Sequence, residues 1–349
     1  MALSIYTLEE SKKWDEIVHT FKGFDVYYLS GYVKAFQNYG DGKAYLLYYT
    51  SDHCRGIHVL MKRDISEDKK FVGRIEGNHF FDVVTPYGYG GWLIEGEEGK
   101  DKLYEEYIAW CMNNNIVSEF VRFHPVLNNV YYTSDFYDVV SLGPTVSMDT
   151  SSQEVIWNNL TSKNRNMIRK AIKSGIKIYN GNYPEIYTKF REIYNATMDK
   201  DCAEQYYYFD KDFYQSILED LAENVQVFYA ELEGKIIAAS IILFANKRIN
   251  YHLSGSVKEY QKFAPTNLLL YKVALWGSEN GYKTFHLGGG VGAHEDSLYK
   301  FKKAFYREES CTFHIGKKIF NQEIYNKLVA IREQISDEIK PGFFPQYRA

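Results

Sequence analysis

The sequence predicts an α+β fold class in which one mixed α/β design is used twice. Three observations carry that expectation. The chain has 349 residues, room for two domains at roughly 150 residues each. The same order of helical and strand patterns runs through both halves. Hydrophobic residues make up 45% and charged residues 25%, the balance of a chain that buries ordinary cores, which excludes a disordered or collagen-like protein. A chain of this length does not need disulfides or a structural metal for stability.

In the first half, Glu9–Phe21 has helical periodicity, and Ser30 caps a second helix over Gly31–Tyr39. Lys43–Thr50 and Gly56–Arg63 alternate as a strand pair, and Phe81–Pro86 is a third strand ending in the glycine-rich corner Pro86-Tyr87-Gly88-Tyr89-Gly90-Gly91. Lys100–Asn113 follows as a helix and Ser118–His124 as a strand. The second half repeats the series. Glu185–Asp199 and Asp210–Ala222 are helices, and Gln226–Glu233 with Lys235–Asn246 forms a hairpin across Gly234. Arg248–Ser254 is the third strand, Pro265–Asn280 a helix stopped by Gly281, and Lys283–Leu287 the closing strand. Ser151–Lys177 joins the halves, and Asn321–Ile339 is a terminal helix that returns to the first half. The resulting domains are 1–150 plus 318–349, and 151–317. Helix, helix, three antiparallel strands, helix, strand is the order of the GNAT acyltransferase fold. By that analogy the chain holds two tandem GNAT-like domains with a cleft between them.

Charge and cysteine usage narrow the function. Lys and Arg total 41 against 45 Asp and Glu, a net charge of −4, which argues against a protein that coats DNA. Cys54, Cys111, Cys202 and Cys311 lie far apart without a CxxC pair, the pattern of reduced thiols in a cytoplasm. The opening MALSIYTLEESKKW lacks the apolar stretch of a signal peptide. The longest apolar run, Ile236–Ala245, is too short to span a bilayer, which leaves only peripheral membrane contact. Aromatic content is 17%, with 32 Tyr. Tyr has an apolar body and a polar tip, so such a chain can line wet clefts as well as cores.

Three stretches are candidate sites. In Thr161–Lys173, Thr161 or Ser162 caps a helix, and Ile168, Ala171 and Ile172 form an apolar stripe flanked by Arg165, Arg169 and Lys173. This is either a solvated basic face or a phosphate clamp built on Arg forks. Leu287-Gly288-Gly289-Gly290-Val291-Gly292-Ala293 fits a loose GxGxxA pattern, but a dinucleotide fold needs further βαβ units, so a flexible corner at a cleft is expected. In Leu298–Phe305, Leu298, Phe301 and Phe305 recur as an apolar stripe with Lys302 to its side. No HExxH or GxSxG motif is present, and His294-Glu295-Asp296 lacks ligand spacing; no metal and no cofactor are expected.

The corner Pro86–Gly91, the basic helix Lys163–Lys173, Ala264-Pro265-Thr266-Asn267-Leu268-Leu269, Leu287–Gly290 and Phe301-Lys302-Lys303-Ala304-Phe305, in that order over most of the chain, resemble the FemABX-like acyltransferases. The resemblance implies tandem GNAT-like domains and transfer of an amino acid from aminoacyl-tRNA to an amine of a peptidoglycan precursor. Lys34 matches the lysine that binds the precursor's nucleotide phosphates, and Phe301-Lys302 matches the pair associated with catalysis. The family's second-domain arginine has no clean match; Arg165 stands in for it, with Arg169 beside it. The coiled-coil arm of some members is absent.

The expected chemistry is direct attack on an activated ester, with Lys302 stabilising the oxyanion. Lys34 and Arg165 would hold an anionic head group, Tyr207 and Tyr251 would line the cleft, and Asp82 and Asp296 are loose candidates for a base. The partners are then a nucleotide- or lipid-linked cell-wall precursor and aminoacyl-tRNA. Two alternatives stand beside this reading. One is a CoA-dependent N- or O-acyltransferase acting on a surface sugar, with acetyl-CoA as donor. Against it, Lys258–Asn267 holds no glycine, and Phe263 and Pro265 obstruct a pyrophosphate cradle. The other is an inactive module that binds precursor or tRNA.

Overall fold

Alternating apolar residues with polar neighbours produce strands here, and each of two units orders its own run of them. The computed structural model describes residues 2–96, 98–335 and 342–349. One unit comprises Met1–Ser141 and His314–Ala349, the other Leu142–Phe313. The first contains β1 (Ala2–Tyr6), α1 (Ser11–His19), α2 (Ser30–Tyr39), β2 (Lys43–Thr50), β3 (Arg55–Asp64), β4 (Phe81–Val84), β5 (Leu93–Glu95), α3 (Lys100–Asn113) and β6 (Ile116–Arg122). The chain leaves it within β7 (Asp138–Asp149). The second holds α4 (Gln153–Asn159), α5 (Ser162–Lys173), β8 (Lys177–Gly181), α6 (Pro184–Lys200), α7 (Lys211–Asp220), β9 (Val225–Leu232), β10 (Lys235–Ala245), β11 (Arg248–Ser256), α8 (Pro265–Glu279), β12 (Thr284–Gly288) and α9 (Ser297–Lys303). The chain returns within β13 (Cys311–Ile319) and adds α10 (Gln322–Glu333) to the first unit. Residues 336–339 of the helix expected over Asn321–Ile339 lie outside the described residues.

In the first unit the strands run β1-β2-β3-β4-β6-β13, with β5 on β3. Only β4 and β6 are parallel. Leu47, Leu60, Trp92, Leu103, Tyr107 and Phe123 fill its main core. Three polar ties cross this interior. His58 Nε2 meets Glu119 Oε1 at 2.6 Å, and Tyr137 donates to Glu119 Oε2 at 3.0 Å. His124 Nε2 meets Asp25 Oδ2 at 2.9 Å. Asp82 is buried and binds Arg63, Arg348 and the Tyr347 hydroxyl, which pins the last residues to β4.

In the second unit the order is β7-β12-β11-β10-β9-β8, with β11 and β12 parallel. The β9–β10 hairpin turns at Glu233 and Gly234, both with positive φ, the geometry that a tight two-residue turn demands. One sheet face packs on α5 and α8 through Ile168, Ala171, Leu268, Leu269 and Val273. The other packs on α6, so closely that a Cβ on Gly255 would run into the Ile193 carbonyl. Between β10 and β11 the register slips. Ser240 faces Ser254, Ile241 faces Leu253, but Ile242 faces Tyr251, which leaves His252 as the extra residue of a bulge. The bulge inverts the alternation beyond it, so Tyr251 shares a face with Ser240 and Ser254. That face is the one packed on α8.

Two expectations for α5 and α9 are corrected. On α5, Asn164, Ile168 and Ala171 are buried, whereas Ile172 is 54% exposed; the stripe is centred one position earlier than an Ile168–Ile172 pairing implies. On α9, Tyr299 and Lys302 are the buried pair and Leu298 is 38% exposed. The helix ends at Lys303, so Phe305 lies beyond it and does not set the buried side by helical spacing.

Candidate functional site

The second unit brings Lys302 and Tyr251 together at the Gly288–Gly290 corner. β12 ends at Gly288 with φ of 78°, a conformation open to glycine without strain. The chain then folds back so tightly that a Cβ at Gly290 would meet the His294 carbonyl and the Asp296 carboxylate. Asp296 caps α9: its Oδ1 accepts from Tyr299 N at 2.8 Å, and its Oδ2 from Val291 N at 3.1 Å. One carboxylate thus fixes both the corner and the helix that carries Lys302.

Lys302 is only 8% exposed. Its Nζ donates to Gly289 O at 2.7 Å and stands 5.8 Å from the centre of the Tyr251 ring. Burial lowers its pKa to about 8, against the opposing pull of Asp296. A buried ammonium held by one carbonyl, beside one ring face and within the field of one carboxylate, is a preorganised positive charge. Phe301 is half-buried, packs on the core and sits edge-on to Phe305 at 5.5 Å.

Tyr251 is half-buried on β11. Burial raises its phenol pKa, and the Ser254 and Ser240 hydroxyls beside it offset part of the rise. Those two hydroxyls are 2.9 Å apart. Neither serine was singled out by the sequence, because only the bulge brings them to the tyrosine. Tyr207 lies elsewhere in the second unit, on a 3-10 turn over Gln205–Tyr207, edge-on to Tyr206 at 5.5 Å.

On the basic helix both arginines are engaged locally. Arg165 turns back on its own chain, donating to Trp157 O at 3.3 Å, Leu160 O at 3.1 Å and Ser162 Oγ at 3.3 Å. It satisfies the carbonyls that end α4, so its fork is occupied by backbone. Arg169 donates to Asn166 Oδ1 at 3.2 Å and its guanidinium lies 5.3 Å from the Trp157 ring. The helix N-terminus is tied to the end of α9, with Thr161 N donating to Ala304 O at 3.0 Å and Asn164 Nδ2 to the same carbonyl at 3.3 Å. Asn267 of α8 completes the joint by donating to Asn164 Oδ1 at 2.8 Å.

Lys34 belongs to the first unit, half-buried on α2. Both candidate bases are otherwise engaged. Burial pushes the Asp82 pKa up, but Arg63 and Arg348 outweigh it and hold the carboxyl below its ordinary range. Asp296 is lowered by the Tyr299 N–H first, with further help from the Val291 and Leu298 amides and Lys302. A carboxylate committed to amide donors or guanidinium forks is a poor proton acceptor at neutral pH. The α8 N-terminus has Ala264 in the left-handed region and Pro265 at its first turn, with none of the glycines of a pyrophosphate cradle. Among the described residues, no cluster of three His, Cys, Asp or Glu could hold a metal ion, and no helix is long and apolar enough to cross a membrane.

Residues 162–303 match the acetyltransferase (GNAT) domain family. The chain is 25% identical over 173 residues to a UDP-N-acetylmuramoylpentapeptide-lysine N(6)-alanyltransferase of Weissella viridescens, covering 48% of this chain and 50% of that one. It therefore spans about half the length of the curated relative it matches. In fold it is similar to the crystal structure of FemX, at a TM-score of 0.68 and 14% identity over 94% of this chain and 99% of the other. A tandem GNAT protein from the clavulanic acid biosynthesis pathway superposes at a TM-score of 0.51 and 7% identity, over 92% and 99% of the two chains. Phe301 and Lys302 lie inside the matched domain, whose strands, glycine corner and following helix are those described above; residues 162–303 form a GNAT domain, and the chain as a whole is similar in fold to FemX and to a tandem GNAT protein.

Proposed function

We propose that this chain is an acyltransferase that moves an aminoacyl group from aminoacyl-tRNA to an amine of a peptidoglycan precursor or related cell-envelope acceptor. The observation that carries the reading is Lys302, a buried ammonium beside the Gly289 carbonyl at the glycine corner. The likeness to an alanyltransferase that acts on a lysine amine of a UDP-linked pentapeptide supports the acceptor class. The acceptor nitrogen attacks the ester carbonyl carbon, the C–N bond forms, the C–O bond of the ester breaks, and the amine proton passes to the departing hydroxyl. Lys302 stabilises the tetrahedral oxyanion, an effect of ~3–4 kcal/mol for a preorganised donor. Tyr251 hydrogen-bonds the acceptor beside it, Phe301 packs the donor's acyl end, and Lys34 holds a phosphate of the nucleotide- or lipid-linked precursor. Tyr207 and Arg169 contribute to substrate binding; Arg165 does not, because its fork is spent on backbone. No cofactor takes part, and the protein works in the cytoplasm with at most peripheral membrane contact.

The test offers the purified protein two donors, alanyl-tRNA and acetyl-CoA, with a UDP-linked muramoyl pentapeptide as acceptor. Mass increase of the acceptor by one amino acid with the first donor alone supports the reading. Acetylation of the acceptor, together with calorimetric binding of acetyl-CoA, replaces it with the CoA-dependent alternative.

A further inference from the structure

The outward arc of α5 has found no role in the protein's own packing. Residues three and four apart share a helix face, and here Lys163, Asn166, Arg169, Lys170 and Lys173 stand opposite the buried Asn164, Ile168 and Ala171. Lys163, Asn166, Arg169, Lys170 and Lys173 are all exposed. Among the described residues none of these cations forms an ion pair with a carboxylate, and α5 itself holds no acidic residue. The 3-10 turn packed against α5 adds Lys258 and Lys262 against one acid, Glu259. In a chain of net charge −4 such a concentration of uncompensated positive charge repels itself and draws a polyanion. Its placement matters as much as its sign. The α5 N-terminus is bonded to Ala304, two residues after Lys302, and from there the helix runs on for twelve residues, about 18 Å.

We propose that the outward face of α5 is a rail for the phosphate backbone of RNA, along which the 3′-terminal strand of the donor is laid so that its end reaches Lys302. This rests on the reading of the donor as an RNA-carried ester. Lys163, Arg169, Lys170 and Lys173 contact phosphates. The Arg169 guanidinium, already lying over Trp157, also offers a planar surface on which an unpaired base stacks. An anionic membrane shares the charge preference, but does not require a row that leads to the buried lysine.

The experiment measures binding of unacylated tRNA and of a short single-stranded RNA to the full chain across a salt series. Each phosphate contact on a single strand contributes about −0.7 to the slope of log K against log salt. Lys170→Gln with Lys173→Gln should flatten the slope by roughly 1.4 and weaken binding about tenfold at low salt. Lys211→Gln with Lys189→Gln, on α7 and α6 against the other sheet face, should change neither. Equal affinity and slope in the α5 variant overturns the proposal, and so does binding to phosphatidylglycerol vesicles without binding to RNA. Because the probe carries no acyl group, failure of transfer with intact RNA binding refutes the acyl-transfer reading alone. Transfer from alanyl-tRNA with an unchanged KM in the α5 variant refutes the rail alone.

Discussion

Replacing Lys302 by methionine separates the cost of this side chain from its use. A fall in pKa from 10.5 to about 8 corresponds to roughly 3 kcal/mol by which the fold disfavours the charged form. The folded value lies below the unfolded one. Below pH 8 both states are protonated and the cost is present in full; it is relieved as pH rises from 8 to 10.5, and it vanishes above that. Methionine has nearly the same length and carries no charge, so Lys302→Met removes this cost. It also removes the bond to Gly289 O, worth about 1.5–3 kcal/mol when the donor is charged. The two terms nearly cancel, with a balance of about 0–2 kcal/mol in favour of the variant near neutral pH. At roughly 2–4 °C per kcal/mol for a unit of this size, Tm should hold or rise by a few degrees, and the gain should shrink towards pH 10. Transfer should fall at least tenfold, and by as much as ~10²–10³ if Lys302 supplies a full oxyanion contact. In the wild type, kcat should decline as pH rises through about 8, because the working form is the cation. Scanning fluorimetry and single-turnover transfer at several pH values read both quantities. Unchanged transfer in the variant refutes the assignment. A kcat that climbs through pH 8 refutes the oxyanion role and makes the neutral amine a base.

Three other perturbations probe the supports. If Ser240 and Ser254 act by orienting Tyr251, Ser254→Ala should raise the acceptor KM several-fold, and adding it to Tyr251→Phe should cost nothing more; additive effects in that cycle would mean the serines act elsewhere. Asp296→Ala should cost about 0.5–2 kcal/mol through the lost cap and lower kcat by releasing the corner from α9, whereas Asp296→Asn, which still accepts a hydrogen bond, should restore most of the stability in urea titration. In the first unit, His58→Ala leaves Glu119 in a dry core with only the Tyr137 hydroxyl on it and should cost about 1–3 kcal/mol, read as a lower urea midpoint; an unchanged midpoint would show that water reaches that pair.

The sequence was informative where local rules decide structure and silent where long-range geometry does. The β9–β10 turn at Gly234 and the helix starting at Pro265 follow from turn and cap chemistry. The motif Phe301-Lys302 could be picked out by resemblance, but its burial could not. Counting apolar residues at helical spacing put Leu298 inside and Lys302 to the side, whereas seven residues of helix make too short a span for the count to fix the angle. Arg165 looked like a phosphate fork because spacing says nothing of the α4 carbonyls that end five and eight residues before it. The strands β1, β5 and β8 are short, and β1 and β8 lie at sheet edges, where partial burial leaves the alternation weak.

The bulge at His252 was the least legible feature, and it has the most direct consequence. A regular β10–β11 pair would be favoured by packing alone, since a bulge breaks the ladder and leaves one residue unpaired. A core selected only for stability would also place an apolar side chain at 302, since burying an ammonium is costly. Both departures meet at one place. The bulge turns Tyr251 to the face where Ser240 and Ser254 lie, and that ring stands over Lys302. Each alone could be an accident of the fold, but neither explains the other by packing. A strand that sacrifices regularity to present a phenol, beside a helix that buries a cation facing the same phenol, supports the proposed role of this corner in stabilising developing negative charge. The cost is carried by the surrounding core. Leu268, Leu269 and Val273 of α8 pack the same sheet face, and their burial offsets a local penalty of a few kcal/mol.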